Sequence, residues 1–514
     1  MTRQKSENPI VPEGLRKLSP SCASSGGKGI PVNQEMAQLV LPFATAVIPQ
    51  GSQRKRRGDL SPRTPRRKPK ANVIPKKSPS ATMESVVEHL DESLDHVVKN
   101  KGAPGPNGRS VGVVKEIWPI LRRLLSRSLR DGSYRPGEIR RVEIPKSGGG
   151  VRGLGIPNVE DRVVQEAIRR SIEPLFEPCF HPSSHGFRPK RSCHTALSEA
   201  RQHVEAGHHV VVDLDLSKFF DRVHHQRLMA RVGQKVQDRK LLVLLGRLLK
   251  SSVLLPNGVL VRTEEGVPQG GPLSPLLSNI VLDELDQELS RRGHRFVRYA
   301  DDVAIFVRSK RSGVRVMESV SKFIEGRMRL LVNQSKSSVR KPSEGNFLGF
   351  RLKILQDGST EVLLSARTKK RITGKIRELT PRNWGSSLTS CIMRLNRYLV
   401  GWFGYFGICA PCEKRKLQRI DGRARRRLRA IQLKHWKRKR TVCRKLNRIR
   451  YSRKVWEEVY KGRRNWWSLS VDPIVSFRLS NRWFRTKGFI SLQDRYTKRE
   501  EAMSAPAQMS LPWG

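Results

Sequence analysis

Negative charge is what this chain has least of. Only 46 Asp and Glu stand against 101 Lys and Arg, so the net charge is +55 and the pI about 11.1. Self-repulsion on that scale works against a compact state, so a polyanion should neutralise the excess. Nucleic acid is the expected one, because the basic residues are interleaved with Trp and Tyr over long polar segments and no stretch forms a clean amphipathic membrane anchor. Long apolar runs are missing as well. The longest, Met36 to Ile48, is broken by Gln38 and Pro42, is too short to span a bilayer, and lies too far from the N-terminus for an ordinary signal peptide. A soluble, cytoplasmic protein without a membrane partner is expected. The cysteines, at 22, 179, 193, 391, 409, 412 and 443, are scattered and odd in number, which argues against a disulfide framework and for a reducing compartment. Cys409 and Cys412 form a single pair with no second pair at zinc spacing, and read as ordinary thiols in a helical segment.

With 514 residues there is room for about three domains, each with its own core. Residues 1–80 are rich in Pro, Gly and Ser and carry two basic clusters, Arg54 to Arg57 and Arg66 to Lys68, which predicts a disordered basic arm. From Met83, helical spacing of Val86, Val87, Leu90, Leu94 and Val97 predicts a helix, and Ile117 to Leu129 a second one. Arg140 to Lys146 and Val151 to Pro157 read as two strands joined by Ser147-Gly-Gly-Gly150, so Lys146 and Arg152 sit on opposite arms of one ribbon. Such a pair can grip a triphosphate, Lys as a point charge and Arg as a fork, though the same two residues also suit a solvated hairpin. A helix near Asp161 to Leu175, a basic loop from Ser183 to Ser192 that includes Arg188, and a helix from Cys193 follow.

Two acidic features then stand out in so basic a chain. In Val210-Val-Val-Asp213-Leu-Asp215, strand alternation puts Asp213 and Asp215 on one face. In Arg295 to Val307, apolar runs flank Tyr299-Ala-Asp301-Asp302, which predicts a hairpin with two carboxylates at its bend. Alone, an Asp-Asp pair fits a solvated turn, but enclosing adjacent like charges costs several kcal/mol without a counter-charge, and a divalent cation would supply one. Between these features lie a helix, Leu241 to Val253, and a Gly and Pro loop, Glu265 to Pro275, which carries Gln269 at its tip and opens the helix Leu276 to Leu289. A helix (Val314 to Leu331), the pair Asn333 and Lys336, and a strand (Asn346 to Leu352) complete the order. That order predicts an α+β palm on an antiparallel sheet. Carboxylates from separate strands holding two cations about 3.5–4 Å apart are what in-line phosphoryl transfer requires.

Eight blocks in this order, Asn100 to Asn107, Arg141 to Lys146, Leu154 to Pro157, His185 to Pro189, Asp215 to Asp221, Gly266 to Pro275, Tyr299 to Asp302 and Phe347 to Phe350, together resemble bacterial group II intron-encoded reverse transcriptase/maturases. The likeness runs from roughly residue 84 to 500, in that family's order and spacing. It implies a right-hand polymerase fold, with fingers and palm over 81–355, a helical thumb or maturase domain over 356–455, and a DNA-binding-like segment over 456–514. It implies Asp215, Asp301 and Asp302 as catalytic, metal-holding carboxylates, with two Mg²⁺ per site. It also implies Lys146 and Arg152 on the dNTP triphosphate, Phe220 or its neighbour Phe219 against the sugar, and Gln269 along the nascent base pair. Asp213 matches a less constant position behind the metal ligands. The partners implied are the protein's own intron RNA, target DNA and dNTPs.

From Glu413 to Lys454 there are 20 Lys or Arg against two acids. Leu417, Ile420, Ala424, Leu428 and Ile431 give that run one apolar side and leave Arg423, Arg425, Arg426, Arg427, Arg429, Lys434 and Lys437 for phosphates. Most of the Trp residues that follow, Trp436, Trp456, Trp466, Trp467 and Trp483, are expected in cores. One departure from the resemblance concerns the His-Asn-His endonuclease of many relatives. The last His is His435 and the last Cys is Cys443, so no such domain is expected, which implies insertion into single-stranded or nicked DNA. Two other readings stay open: an RNA-binding splicing chaperone without polymerase activity, and a reverse transcriptase adapted to retron synthesis, hypervariation or spacer acquisition.

Overall fold

A computed structural model describes residues 80–145, 150–446 and 465–504. The two basic clusters before residue 80, Lys146, Trp456 and the end of the basic run lie outside them. The opening periodicity is buried as expected, but on two helices, α1 (Met83–Glu88) and α2 (Leu90–Lys99), because His89 ends one and begins the other. The next expected helix is likewise preceded by a short one: α3 (Val111–Glu116) and α4 (Trp118–Asp131). Pro119 falls in the first turn of α4, where its missing N–H is not needed.

The ribbon is β1 (Ile139–Pro145) and β2 (Val151–Ile156), antiparallel, with Ile144 opposite Arg152. Helix α5 (Val159–Phe176) crosses the core, and its Arg162 donates to the Ala103 carbonyl at 2.7 Å, pinning the Pro-Gly loop. Helix α6 (Cys193–Glu205) starts at a Ser192/Thr195 capping box and leads to β3 (Val210–Leu214). After α7 (His225–Gly233), α8 (Arg239–Leu249) stops short of Val253, which belongs instead to β4 (Val253–Leu254), and that strand joins β1 in parallel and pairs with β5 (Leu260–Val261).

The palm sheet comprises β3, β6 (Arg295–Tyr299), β7 (Asp302–Val307) and β8 (Ser338–Arg340), all antiparallel in the order β6-β7-β3-β8, with α9 (Ser274–Arg291) between β3 and β6 in the chain and α10 (Lys310–Gly326) between β7 and β8. Val303, Ile305 and Val307 enter one core with Val212 and Leu214, whereas Ala304 and Phe306 enter a second with Val211 and Val297. Burial on both faces explains why β3 and β7 read as continuous apolar runs rather than alternating ones.

The expected strand Asn346 to Leu352 is displaced toward the C-terminus. Leu348 and Gly349 take left-handed φ of 52° and 84°, the chain doubles back, and the strand is β9 (Phe350–Ile354), paired with β10 (Thr360–Leu364). A domain division at 355 therefore passes through a hairpin, and Phe350, Leu352 and Leu364 pack in the second core. That core is closed by α11 (Ala366–Leu379), α12 (Leu388–Phe406), α13 (Lys414–His435) and α14 (Lys439–Leu446), then by helices Trp466–Leu469, Pro473–Arg478, Asn481–Thr486 and Leu492–Ser504. The five apolar positions expected on α13 are all buried. Among the described residues no helix is long and apolar enough to cross a membrane.

Glu199 of α6 anchors the loop before that helix: Ser183 Oγ donates to it at 2.5 Å and His185 Nε2 lies 2.7 Å away. Burial would raise its carboxyl, but hydrogen bonds from His185, His203 and Ser183 prevail and hold it well below the usual range. A depressed native pKa gives stability that is present above the unfolded value, about 4.3, and lost as pH falls below it. Urea unfolding of the wild type should therefore weaken more steeply below about pH 5 than that of Glu199→Gln, which should start less stable and respond less to acid.

Candidate active site

The acidic hairpin forms as expected. Tyr299 pairs with Asp302, leaving Ala300 and Asp301 as a two-residue turn in which Ala300 takes φ 57°, a left-handed conformation usually left to Gly or Asn. What holds it there is Arg298, whose guanidinium is 0% exposed. Its Nε donates to Asp286 Oδ1 at 2.7 Å, its Nη2 to Asp286 Oδ2 at 2.5 Å and Ser184 Oγ at 2.7 Å, and its Nη1 to Asn279 Oδ1 at 2.9 Å and the Ala300 carbonyl at 3.0 Å. Every donor of the fork is thus used, the condition under which a buried ion pair is tolerable. Asn279 Nδ2 also donates to the Gly186 carbonyl at 2.9 Å, and Gly186 lies so near the turn that a Cβ there would sit 2.2 Å from the Ala300 nitrogen. In the sequence Arg298 is only one member of the strand that flanks the turn. A charge inside an otherwise apolar buried strand was the available signal.

The register of β3 against β7 sets Leu214 opposite Val303, so Asp215 and Asp302 follow at the same level of the sheet. Asp215 is held at its backbone, its N–H donating to Ser337 Oγ at 3.1 Å and its carbonyl accepting from Asn333 N at 2.8 Å, and Lys336 Nζ lies 3.6 Å from its carboxylate. Asp302 is accessible to solvent yet crowded by protein atoms. That crowding, then the charges of Asp301, Asp215 and Asp213, push its carboxyl up to about 7 against the pull of Arg367. Asp213 turns to Arg340, whose Nε donates to it at 2.7 Å, while burial raises its carboxyl. Like charges that raise the proton affinity of Asp302 are what a divalent cation would relieve. Among the described residues no three Asp, Glu, His or Cys side chains are gathered closely enough to hold a metal ion together. Mg²⁺ does not require such a group, since it usually takes one or two carboxylates together with water and substrate phosphates. The all-oxygen donor set fits that cation.

The two aromatic candidates part company. Phe219 is 2% exposed and packs in the first core, which removes it as a sugar contact, whereas Phe220 remains half-buried beside it. The Phe220 carbonyl accepts from Val267 N at 2.6 Å, and the Gln269 carbonyl accepts from Gly155 N at 2.7 Å, so the Gly and Pro loop spans from the Phe220 turn to β2 of the ribbon. Gly270 is needed there: its φ is 128°, and a Cβ would lie 2.4 Å from the Gly155 carbonyl. Arg152 is exposed on β2 with no acidic partner among the described residues, and Lys146, its intended companion, falls outside them.

The basic candidates divide more sharply. Arg188 is not available to nucleic acid, because its Nε donates to Glu177 at 3.0 Å and its Nη1 to the carbonyls of His181 and Ser184 at 2.7 and 2.9 Å. Arg429 is tied to the Leu479 carbonyl at 3.0 Å, Arg426 stacks 4.0 Å over Trp467, and Arg425 is half-buried near Asp421 and Asp494. These arginines hold helices together, the reverse of the expected phosphate face. Arg427 is half-buried with one edge left open, and Arg423, Lys434 and Lys437 are exposed.

Residues 144–352 match the reverse transcriptase (RNA-dependent DNA polymerase) family, and residues 369–451 match the group II intron maturase-specific domain. Protein YkfC of Escherichia coli (strain K12) is 32% identical over 349 residues, which are 60% of this chain and 89% of that protein. The group II intron-encoded protein LtrA of Lactococcus lactis subsp. cremoris is 30% identical over 321 residues, 49% of this chain and 53% of that protein, so the match spans about half of that relative. Among solved structures, a partial Cas6-RT-Cas1–Cas2 complex overlaps 50% of this chain and 45% of that chain at a TM-score of 0.32 and 20% identity.

Replacing Arg298 by Met would strand Asp286 as a buried, unpaired charge, and should cost about 3–5 kcal/mol in urea unfolding. Adding Asp286→Leu should recover much of that loss, since no charge then remains buried. Equal stability of the single and double variants would show that the pair is not the anchor of the turn.

Proposed function

The chain belongs to the reverse transcriptases of the group II intron type, and on that premise we propose that it copies intron RNA into DNA and, as a maturase, binds that RNA and assists its splicing and mobility. Its substrates are then dNTPs, an RNA template and target DNA, handled in the bacterial cytoplasm. The observation that carries the polymerase half is the convergence of Asp215 with Asp301 and Asp302 from neighbouring strands, with Asp302 pushed up to about 7 by its enclosure and its acidic neighbours. When bound, two Mg²⁺ ions supply activation of the primer 3′-hydroxyl and stabilisation of the leaving pyrophosphate. Asp215 and Asp301 are the expected direct ligands, and Asp302 completes the acidic set. Arg152, exposed on the ribbon, grips the triphosphate together with Lys146. Phe220 stands under the sugar where a 2′-hydroxyl would fall. Gln269, held through its carbonyl to the ribbon, lies along the base pair being formed. The maturase half rests on the matched domain and on the basic helical region that encloses the second core.

Asp301→Ala should reduce primer extension on an RNA template to background while leaving intron RNA binding and splicing assistance intact. Undiminished extension would overturn the catalytic assignment, and joint loss of both activities in a folded variant would overturn their separation. The two phenylalanines offer a finer check. Phe220→Ala should admit ribonucleotides at nearly unchanged stability, whereas Phe219→Ala should cost about 3–5 kcal/mol through the cavity it leaves.

A further inference from the structure

Three arginines of the helical region stand together with no acid among the described residues to receive them. Arg377, Arg382 and Arg427, with Gly374, Glu378 and Asn383, line an open depression of about 620 Å³. Arg427 is fixed in place. Its Nε donates to Thr380 Oγ1 at 2.6 Å and its Nη2 to the carbonyls of Thr380 and Arg377 at 2.6 and 3.1 Å, which leaves Nη1 without an acceptor among the described residues. Arg382 lies 5.1 Å from the centre of the Trp467 ring, which Arg426 also covers at 4.0 Å. Glu378, the one acid in the lining, is taken by Lys375 at 2.8 Å. Asn383 Oδ1 is likewise taken, accepting from Lys434 at 3.0 Å. Burial, then the charges of Arg382 and Arg377, lower the proton affinity of Arg427. Hydrogen bonds to carbonyls hold Arg427, an aromatic ring holds Arg382, and Arg377 stands exposed beside them, so three like charges share the depression and the unsatisfied partner is an anion.

We propose that this depression, on α11, α13 and the loop after α11, is a phosphate site for the backbone of bound RNA, separate from the polymerase cleft. Guanidinium forks match phosphate oxygens two at a time, and Arg427 is already oriented to offer an edge. The arginines cover the Trp467 ring that a base would need for stacking, so the site takes backbone rather than base and adds affinity without sequence preference. The proposal rests on the reading of the chain as RNA-binding.

The test titrates the full chain against a fluorescein-labelled RNA hairpin by anisotropy over a series of KCl concentrations. Arg377→Gln with Arg382→Gln should weaken binding and reduce the slope of log K against log salt by about 1–2, at roughly 0.7–0.9 for each phosphate that is no longer neutralised. Arg311→Gln with Arg315→Gln, which removes the same charge from the exposed start of α10, should leave the slope unchanged. Equal slope changes for both pairs would overturn the proposal, as would no change for the first pair. Polyglutamate that competes with RNA on the wild type but not on the first pair would overturn it in favour of an acidic-peptide site. If the double variant melts early, Arg377→Gln alone, whose side chain touches no ring, carries the comparison. A wild-type chain that fails to bind the hairpin at all would defeat the RNA-binding reading itself, and is seen before any variant is compared.

Discussion

The guanidinium of Arg298, wholly enclosed and paired with Asp286, is the constraint on which the site depends. It joins α9, the loop before α6 and the hairpin turn in one hydrogen-bonded unit, and one of its donors ends on the carbonyl of a residue in a conformation it would not choose alone. A left-handed Ala costs roughly 1 kcal/mol or more in isolation. The network offsets that cost and fixes the direction of the adjacent carboxylates. Since α9 continues from the loop that carries Gln269, the turn and that loop are set by one element.

The palm sheet gives this unit its rigidity. Side chains from its two faces feed separate cores, so the strands bearing Asp215 and Asp302 are clamped by packing from both sides. The carboxylates lie at strand ends, where the apolar runs stop. In a chain of net charge +55 the few acids are placed unevenly. Many are used in ion pairs such as those of Glu166 and Glu284, while Asp302 is left beside the like charges of Asp301 and Asp215.

Much of the site was legible because it is built from local signals. The hairpin, the ribbon and the Gly and Pro loop each announce themselves through turn residues and alternating or continuous apolar runs, and those patterns survive whatever surrounds them. The less legible parts are those where identical residue types take different roles. Phe219 and Phe220 are neighbours of one chemistry, yet one fills the core and the other is only half-buried against its edge. Arg188, Arg425, Arg426 and Arg429 look like the exposed Arg423 in a charge count, but each meets a carbonyl, a carboxylate or a ring, close in sequence for Arg188 and from a distant segment for the other three.

The sequence by itself determined the identity of the carboxylates, the order of the elements and the excess of positive charge, because each follows from residue type and short spacing. The tertiary structure alone decided which arginines are free, which phenylalanine is buried and which keeps a partly open face, and that Arg298 governs the turn. Those outcomes depend on which partners lie within hydrogen-bond reach, and such partners, like Ser184 and Arg298, stand 114 residues apart along the chain.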